Sequence, residues 1–332
     1  MQTLAESLNC FNHQSDNVNT FMELRVNAKN AEKIKQEIEA CALFLPRITD
    51  LSPECFEEEF YERLTRINEM SSQPSVDKDI VLKFFFERCG QELKKGHAQM
   101  YCREKPHGYA GDYKTIDLIY TYRAENSGAT TWDHFFHRQA APQAVRNRKS
   151  YFSALYGRMA NTRPGFSLLN IACGPCRDVV EAVATHGSGE TIHNVDMDAD
   201  AIEYSKKLAE EAKPLNAVIE WRQSNAFMFR ARRTYDLVWS AGLFDYLDLK
   251  AAARLLKRMW GWTTEGGRMV IGNFHPENPT RNYMEWVGEW FLIHRTEDDM
   301  VEMSRVAGIP CKALSFDRDA TGVQLFMTVL KE

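Results

Sequence analysis

The sequence predicts an α/β fold: a seven-stranded Rossmann-like sheet, parallel except for a terminal antiparallel hairpin, preceded by a helical N-terminal half. Three observations predict it. Leu168 to Ala172 is a short apolar run, as in a strand buried on both faces; it breaks at Gly174-Pro175, and Val179, Val180 and Val183 then recur at helical spacing. Further strand-like runs at 191–195, 217–221, 235–239 and 268–274 alternate with helical stretches. The last two runs, 311–316 and 322–330, are joined by Asp317-Arg-Asp-Ala-Thr321, too short for a crossover, so they pair as a hairpin at the sheet edge.

At 332 residues the chain has room for two domains. The patterning divides it into a helical cap over 1–160 and the sheet domain over 161–332. Residues 1 to about 27 have little pattern and read as a strand or loop arm. Ile34, Ile38, Cys41 and Leu45 share one helical face, and Pro46 stops that helix. Ser52-Pro53 opens a second helix through Ile67. Ser75 is placed to cap a third, Val76 to about Tyr101, which Phe84-Phe-Phe86 makes apolar around much of its girth. His107-Gly-Tyr-Ala-Gly-Asp-Tyr113 then packs two glycines, two tyrosines, a histidine and an aspartate into one loop, with Asp112 as N-cap of a helix over 113–122. A turn needs glycines but not tyrosines, so this loop, with Tyr109 and Tyr113, is expected to act as a lid. Trp132, His134, Phe135, Phe136 and His137 read mostly as core. A helix from Pro142 to Met159 carries Arg146 and Lys149 on one face, with Arg148 turned away.

The strand, turn and helix over 168–183 form the opening of a nucleotide-binding βαβ unit. Gly174 lets backbone approach a ligand, and the helix presents free N–H groups to it. The next strand ends at Asp196, 22 residues after Gly174, where a carboxylate accepts from both hydroxyls of a ribose. Ala172 and Asp178 stand where a dinucleotide fold has further glycines. Without that pyrophosphate cradle a nucleoside lacking phosphate fits better, and S-adenosylmethionine (SAM) is the candidate. Cys173-Gly-Pro-Cys176 supports a rival, being the dithiol sequence of thioredoxins, with 195–198 and Pro214 echoing their later landmarks. Ala172 in place of tryptophan, the long preceding half and the further strand–helix pairs weigh against it. A third reading packs both cysteines as small apolar residues.

The expected cofactor contacts begin with Ala172, Cys173, Gly174, Pro175 and Asp178. Asp196, Met197 and Asp198 follow, Asp198 also being placed to cap a helix over 199–212. After the third strand comes Ser224-Asn-Ala226; Asn225 offers an acceptor for the adenine amino group and a donor for a ring nitrogen, or else forms a turn. Ser240, Ala241 and Gly242 leave room for a sulfonium, with Phe244 and Tyr246 as aromatic surface. Arg148 is placed to meet the methionine carboxylate bidentately. The candidates for chemistry are Asp245 (general base or helix cap), His275 at the rigid His275-Pro-Glu-Asn-Pro279 turn, and Tyr113. Tyr283 to His294 reads as an inserted helix lining the substrate pocket, and Thr296 and Gly308 bound a helix over 297–307. No metal is expected.

With these residues assembled, the C-terminal half resembles the class I SAM-dependent methyltransferase superfamily through Asn170-Ile-Ala-Cys-Gly-Pro-Cys-Arg-Asp178, Val195-Asp-Met-Asp198, Ser224-Asn-Ala226 and Ser240 to Tyr246. More narrowly, the chain is similar to the bacterial 3-hydroxypalmitic acid methyl ester biosynthesis protein family. That likeness rests on Gly108-Tyr-Ala-Gly-Asp-Tyr113, Ala144-Val-Arg-Asn-Arg148, Gly272-Asn-Phe-His-Pro276 and Arg295-Thr-Glu-Asp-Asp-Met300. The resemblance implies a class I methyltransferase domain, SAM as cofactor and a small-molecule acceptor, at its narrowest the carboxylate of a hydroxylated fatty acid. An N- or O-methyltransferase of another natural product, a non-catalytic SAM-binding regulator and a dithiol oxidoreductase remain as alternatives.

Composition sets the outer bounds. A net charge of −5 gives no electrostatic reason to expect nucleic acid. Eight cysteines without paired spacing, apart from 173 and 176, suggest free thiols in a reducing cytoplasm. No basic-then-apolar leader is evident and no apolar run approaches 18 residues. The expectation is a cytoplasmic monomer or homodimer acting on a small molecule, without membrane insertion.

Overall fold

The computed structural model describes residues 28–123 and 128–332, so the arm expected over 1–27 lies outside the described residues. α1 (Ala28–Phe44) buries Ile34, Ile38 and Cys41 along one stripe, and Leu45-Pro46 turns the chain into a short 3-10 helix. α2 (Pro53–Ser71) begins as the sequence implies: Ser52 accepts from the Cys55 N–H at 3.3 Å, and Pro53 holds the first helical position. The third helix departs from expectation at both ends. Asp77 rather than Ser75 caps α3 (Lys78–Leu93), accepting from the Asp79 and Ile80 N–H groups at 3.0 and 3.4 Å. The chain breaks before Gly96, and α4 (His97–Glu104) begins anew after it. Of the three phenylalanines only Phe85 is fully buried.

α5 (Tyr113–Thr121) is capped by Asp112, whose Oδ1 accepts from the Thr115 N–H at 2.7 Å. α6 (Thr131–Arg138) starts with a capping box between Thr130 and Asp133 and buries Trp132, Phe135, Phe136 and His137. α7 (Ala140–Thr162) leads into the sheet.

Seven strands follow: β1 (Ser167–Ile171), β2 (Glu190–Asp196), β3 (Ala217–Gln223), β4 (Tyr235–Ser240), β5 (Thr263–Phe274), β6 (Leu314–Arg318) and β7 (Gln324–Leu330), in the order β3-β2-β1-β4-β5-β7-β6. The first five run parallel, and β7 is antiparallel to both β5 and β6. The chain winds in opposite directions from β1 and β4, which opens a crevice at their carboxyl ends. α8 (Arg177–His186), α9 (Ala199–Glu211), α10 (Leu249–Trp262) and α12 (Glu297–Ala307) cover the faces. β1 is buried at every position, as an apolar central strand should be. The hairpin starts later than expected because Cys311–Ala313 forms a 3-10 turn.

The helix expected over 283–294 is short. α11 (Arg281–Trp286) ends early, Glu289 takes φ 45°, and the chain then alternates, Trp290 and Leu292 inward, Phe291 and Ile293 outward. This segment completes the core of the helical half. Tyr283 and Trp286 pack edge-on against Phe60 (6.2 Å) and Phe85 (5.5 Å), in one cluster with Phe56, Trp132 and Phe274. Residues inserted after β5 thus fasten the helices over the carboxyl ends of the strands. No helix among the described residues is long and apolar enough to cross a membrane.

Candidate active site

The turn after β1 is wound from left-handed residues: Ala172 (φ 54°), Gly174 (φ 53°) and Cys176 (φ 55°). Two non-glycine residues in that region within five positions mark a backbone held by its surroundings, as at ligand sites. Asp196 does the holding. Its Oδ2 accepts from the Gly174 N–H at 2.8 Å and its Oδ1 from the Asp198 N–H at 3.0 Å. Each oxygen keeps a second lone pair, so the carboxylate has capacity left for a vicinal diol. Burial raises its pKa, and these N–H groups oppose the rise. A Cβ at Gly174 would meet no atom within 4 Å, so the space over Gly174 is open. The Ser224 N–H donates to the Asp196 carbonyl at 2.7 Å, which brings 224–226 to the same rim.

At the end of β4 the Ser240 hydroxyl is buried without a partner. Arg148 reaches this point from α7. Its Nη1 lies 3.4 Å from the Ala241 carbonyl, and a Cβ on Gly242 would stand 2.8 Å from it. Nε faces the Tyr120 hydroxyl at 3.4 Å. Contacts this long leave guanidinium N–H groups uncommitted. Burial works against the charge, but Tyr120, Asp178 and Asp245 hold the pKa of Arg148 up. Asp178, in the first turn of α8, accepts from the Val179 N–H at 2.9 Å; burial raises its pKa and Arg148 opposes the rise. Asp245 accepts from the Phe274 N–H at 2.7 Å, and burial pushes it up to about 7. Arg295 is committed elsewhere, to the Phe244 carbonyl at 2.6 Å, the Asn273 side chain at 2.7 Å and the Leu247 carbonyl.

The loop 107–113 lies across these strand ends. Tyr109 donates to Asp198 Oδ2 at 2.8 Å. The Tyr246 hydroxyl donates to the Ala110 carbonyl at 2.9 Å while accepting from Trp290 Nε1 at 2.8 Å. Tyr113 packs between the rings of His107 (4.7 Å) and Tyr204 (5.4 Å), which seats the loop on α9. Arg177 grips Asp117 in a fork at 2.5 and 3.0 Å, and Tyr204 donates to the same carboxylate at 2.5 Å. Sequence reasoning missed this clamp of α5 on α8 and α9, since nothing in local spacing ties Asp117 to a residue 60 positions on. It also missed Trp290, for which the tryptophan-rich stretch was the available signal.

Other expected residues are placed differently. His275 is buried among charges on the hairpin side: Nδ1 faces the Glu277 N–H at 3.2 Å, and Nε2 faces Arg318 at 2.9 Å and Glu297 at 3.5 Å. None of these partners belongs to the cluster around Asp196 and Arg148. Phe244 is fully buried with Leu255 and Met269, so Tyr246 is the aromatic of that pair left partly exposed. Met197 is exposed, and Asp198 caps α9 through the Asp200 N–H at 2.9 Å. Asn225 Oδ1 accepts from the Phe227 N–H at 2.8 Å, a turn-former's bond; Ser224 and Ala226 flank it, half-buried. Burial pushes the Cys173 and Cys176 thiols up, opposite to what a reactive dithiol needs.

A nucleoside sulfonium fits what is present. The crevice offers open space over Gly174, a diol acceptor in Asp196, guanidinium N–H groups left over in Arg148, and the Asp198 carboxyl at the rim. Residues 168–267 match the family model described as a methyltransferase domain. A possible exported protein from Bordetella parapertussis, 16% identical, superposes with a TM-score of 0.60 over 92% of this chain and 99% of its own. Magnesium protoporphyrin IX methyltransferase from Synechocystis PCC 6803, crystallised with S-adenosylhomocysteine, is 12% identical, with a TM-score of 0.50 over 71% of this chain and 100% of its own. At such identities these two likenesses speak for the fold. The chain carries a class I methyltransferase domain of Rossmann-like fold, and SAM is the cofactor of that domain.

Proposed function

We propose that the protein moves a methyl group from SAM to the carboxylate of a small apolar acid, a hydroxylated fatty acid being the member its family likeness suggests. The observation that supports the acceptor class is a small apolar cavity of about 20 Å³, with Cys102, Ile119, Phe136, Val145, Phe274 and Trp290 among its walls. Two polar residues in the wall are already satisfied. Gln99 is bonded to Tyr283 and the Leu93 carbonyl, and Thr280 to Asn278. Walls of this kind suit an alkyl chain, for which they would have to part, and give a polar group nothing to bond. Trp290 connects it to Tyr246, and so to the rim of the crevice.

Bound SAM supplies an electrophilic methyl group on a sulfonium. A carboxylate is nucleophilic at neutral pH, so it needs placing and drying rather than a strong base. On this reading Asp196 accepts from the ribose hydroxyls, Arg148 meets the methionine carboxylate, and the loop held by Tyr246 excludes water. Asp245 is the group on hand had the acceptor been a hydroxyl or an amine; a carboxylate makes no such demand.

The test offers methyl-labelled SAM and a ladder of linear acids, with and without a 3-hydroxyl, and reads products by mass spectrometry. Methyl esters with a chain-length optimum are expected. Ala141→Leu intrudes on the cavity wall and should move that optimum shorter by roughly two or three methylenes. Label on nitrogen or on a hydroxyl, or turnover of polar acceptors alone, removes the proposal. SAM-dependent stabilisation with no product from any acceptor, a cell extract included, favours a regulator instead.

A further inference from the structure

We propose that the unpartnered Oδ2 of Asp112 binds an ammonium group, the α-amino group of the methyl donor, and that this contact couples donor binding to docking of the loop 107–113. The inference rests on the reading that SAM occupies the crevice.

Asp112 is wholly buried, yet only half of its carboxylate has a task. Oδ1 caps α5 through the Thr115 N–H at 2.7 Å, whereas Oδ2 has no hydrogen-bond partner. Capping does not require a charge: asparagine and serine cap as well as aspartate. A buried carboxylate oxygen without a donor is costly, and among the described residues Asp112 has no ion-pair partner to offset that cost. Such an atom is what a site for a cationic ligand looks like before the ligand arrives.

Its position suits the donor. The preceding residue, Gly111, is pressed against the Tyr246 hydroxyl and the Trp290 ring, where a Cβ would come within 2.5 and 2.7 Å. Tyr109, three residues before Asp112, donates to Asp198 Oδ2 at 2.8 Å, which holds this loop against the turn after β2. Arg148, beneath Gly242, supplies the opposite charge. A zwitterionic amino-acid head needs both signs at separate points, and Arg148 and Asp112 present them. Because Asp112 begins α5 and ends the loop, a bond to its free oxygen ties the ligand directly to the lid's C-terminal anchor.

Calorimetry on the full chain with three ligands tests this. S-adenosylhomocysteine carries the whole head, its deaminated analogue lacks only the ammonium, and 5′-methylthioadenosine lacks the head altogether. Wild-type protein should bind the deaminated analogue about 10- to 100-fold more weakly than S-adenosylhomocysteine, a comparison that needs no variant. Asp112→Asn and Asp112→Ser, which both keep a capping side chain, should lose about the same factor for S-adenosylhomocysteine and stay within about 2-fold for 5′-methylthioadenosine. Equal loss for both ligands, or none for either, overturns the role of Asp112 and leaves the crevice as a donor site. Wild-type protein that binds none of the three overturns the donor reading itself.

Discussion

The Tyr246 hydroxyl donates to the Ala110 carbonyl at 2.9 Å and thereby joins the turn after β4 to the loop between α4 and α5. The same oxygen accepts from Trp290, so one side chain links three segments far apart in sequence. Tyr246→Phe removes both bonds and keeps the ring. Of the two, the bond to Ala110 holds the loop, and losing its roughly 1 kcal/mol should raise amide exchange across 107–113 about 5-fold. Gly111→Ala should act more strongly, since Gly111 has φ 69° and its Cβ would meet the Tyr246 oxygen at 2.5 Å. Hydrogen exchange by mass spectrometry reads both variants, and unchanged protection in both would mean that Tyr109 and the Asp117 clamp hold the loop unaided.

Asp196 bonds the turn it faces as well as whatever enters the crevice. In Asp196→Ala the N–H groups of Gly174 and Asp198 lose their acceptor, while any diol loses its own. SAM affinity should therefore fall by about 10-fold or more. Asp196→Asn keeps an acceptor for one N–H, and should fall between the alanine variant and wild type. Calorimetry that finds wild-type affinity in the alanine variant would take the ribose contact away from this residue.

The parts of the fold written in local chemistry were legible in the sequence. Ser52-Pro53, Asp112, Asp198 and Thr296 each combine a capping side chain with a following apolar period, and each caps its helix. The parts set by distant partners were not. Ser75 and Asp77 are equally good caps on paper, and the start of the buried stripe at Val81 decided for Asp77. His275 looked catalytic because of its rigid turn, but β5 is flanked by β7, and the hairpin brings Arg318 to its ring. Arg148 was expected to turn away from Arg146 and Lys149; that it turns into the crevice, beneath Gly242, depends on where α7 crosses the sheet. The orphaned oxygen of Asp112 is invisible to any pattern, because a capping aspartate reads the same with one oxygen engaged or two.

Asp245 gives stability a pH dependence whose sign can be worked out. In the unfolded chain its carboxyl ionises near the ordinary value of about 3.9. Burial pushes it up to about 7 in the folded protein. Between those values the folded state keeps a proton that the unfolded state has lost, so this residue's contribution is complete below the window and lost as pH rises through about 7. Asp245→Asn keeps the oxygen that accepts from the Phe274 N–H and cannot ionise. Relative to wild type, its melting temperature should be higher at pH 8 than at pH 4, by roughly 2 to 4 °C for each kcal/mol recovered. A difference that is the same at both pH values would show that Arg148 and Arg295 already compensate the charge.

Cys173 and Cys176 offer the cleanest separation of transferase from oxidoreductase. Both thiols are buried, Cys176 completely, and Sγ of Cys176 accepts from Asn170 Nδ2 at 3.7 Å. A dithiol catalyst exposes one sulfur and lowers its pKa; here burial raises both. Cys176→Ala deletes one small buried group, and should cost about 1 kcal/mol of stability while SAM affinity and methyl transfer stay within about 3-fold of wild type. Added reductant should change neither. Were turnover instead to vanish with that single sulfur, or to require dithiothreitol stoichiometrically, electrons rather than a methyl group would be what this turn handles.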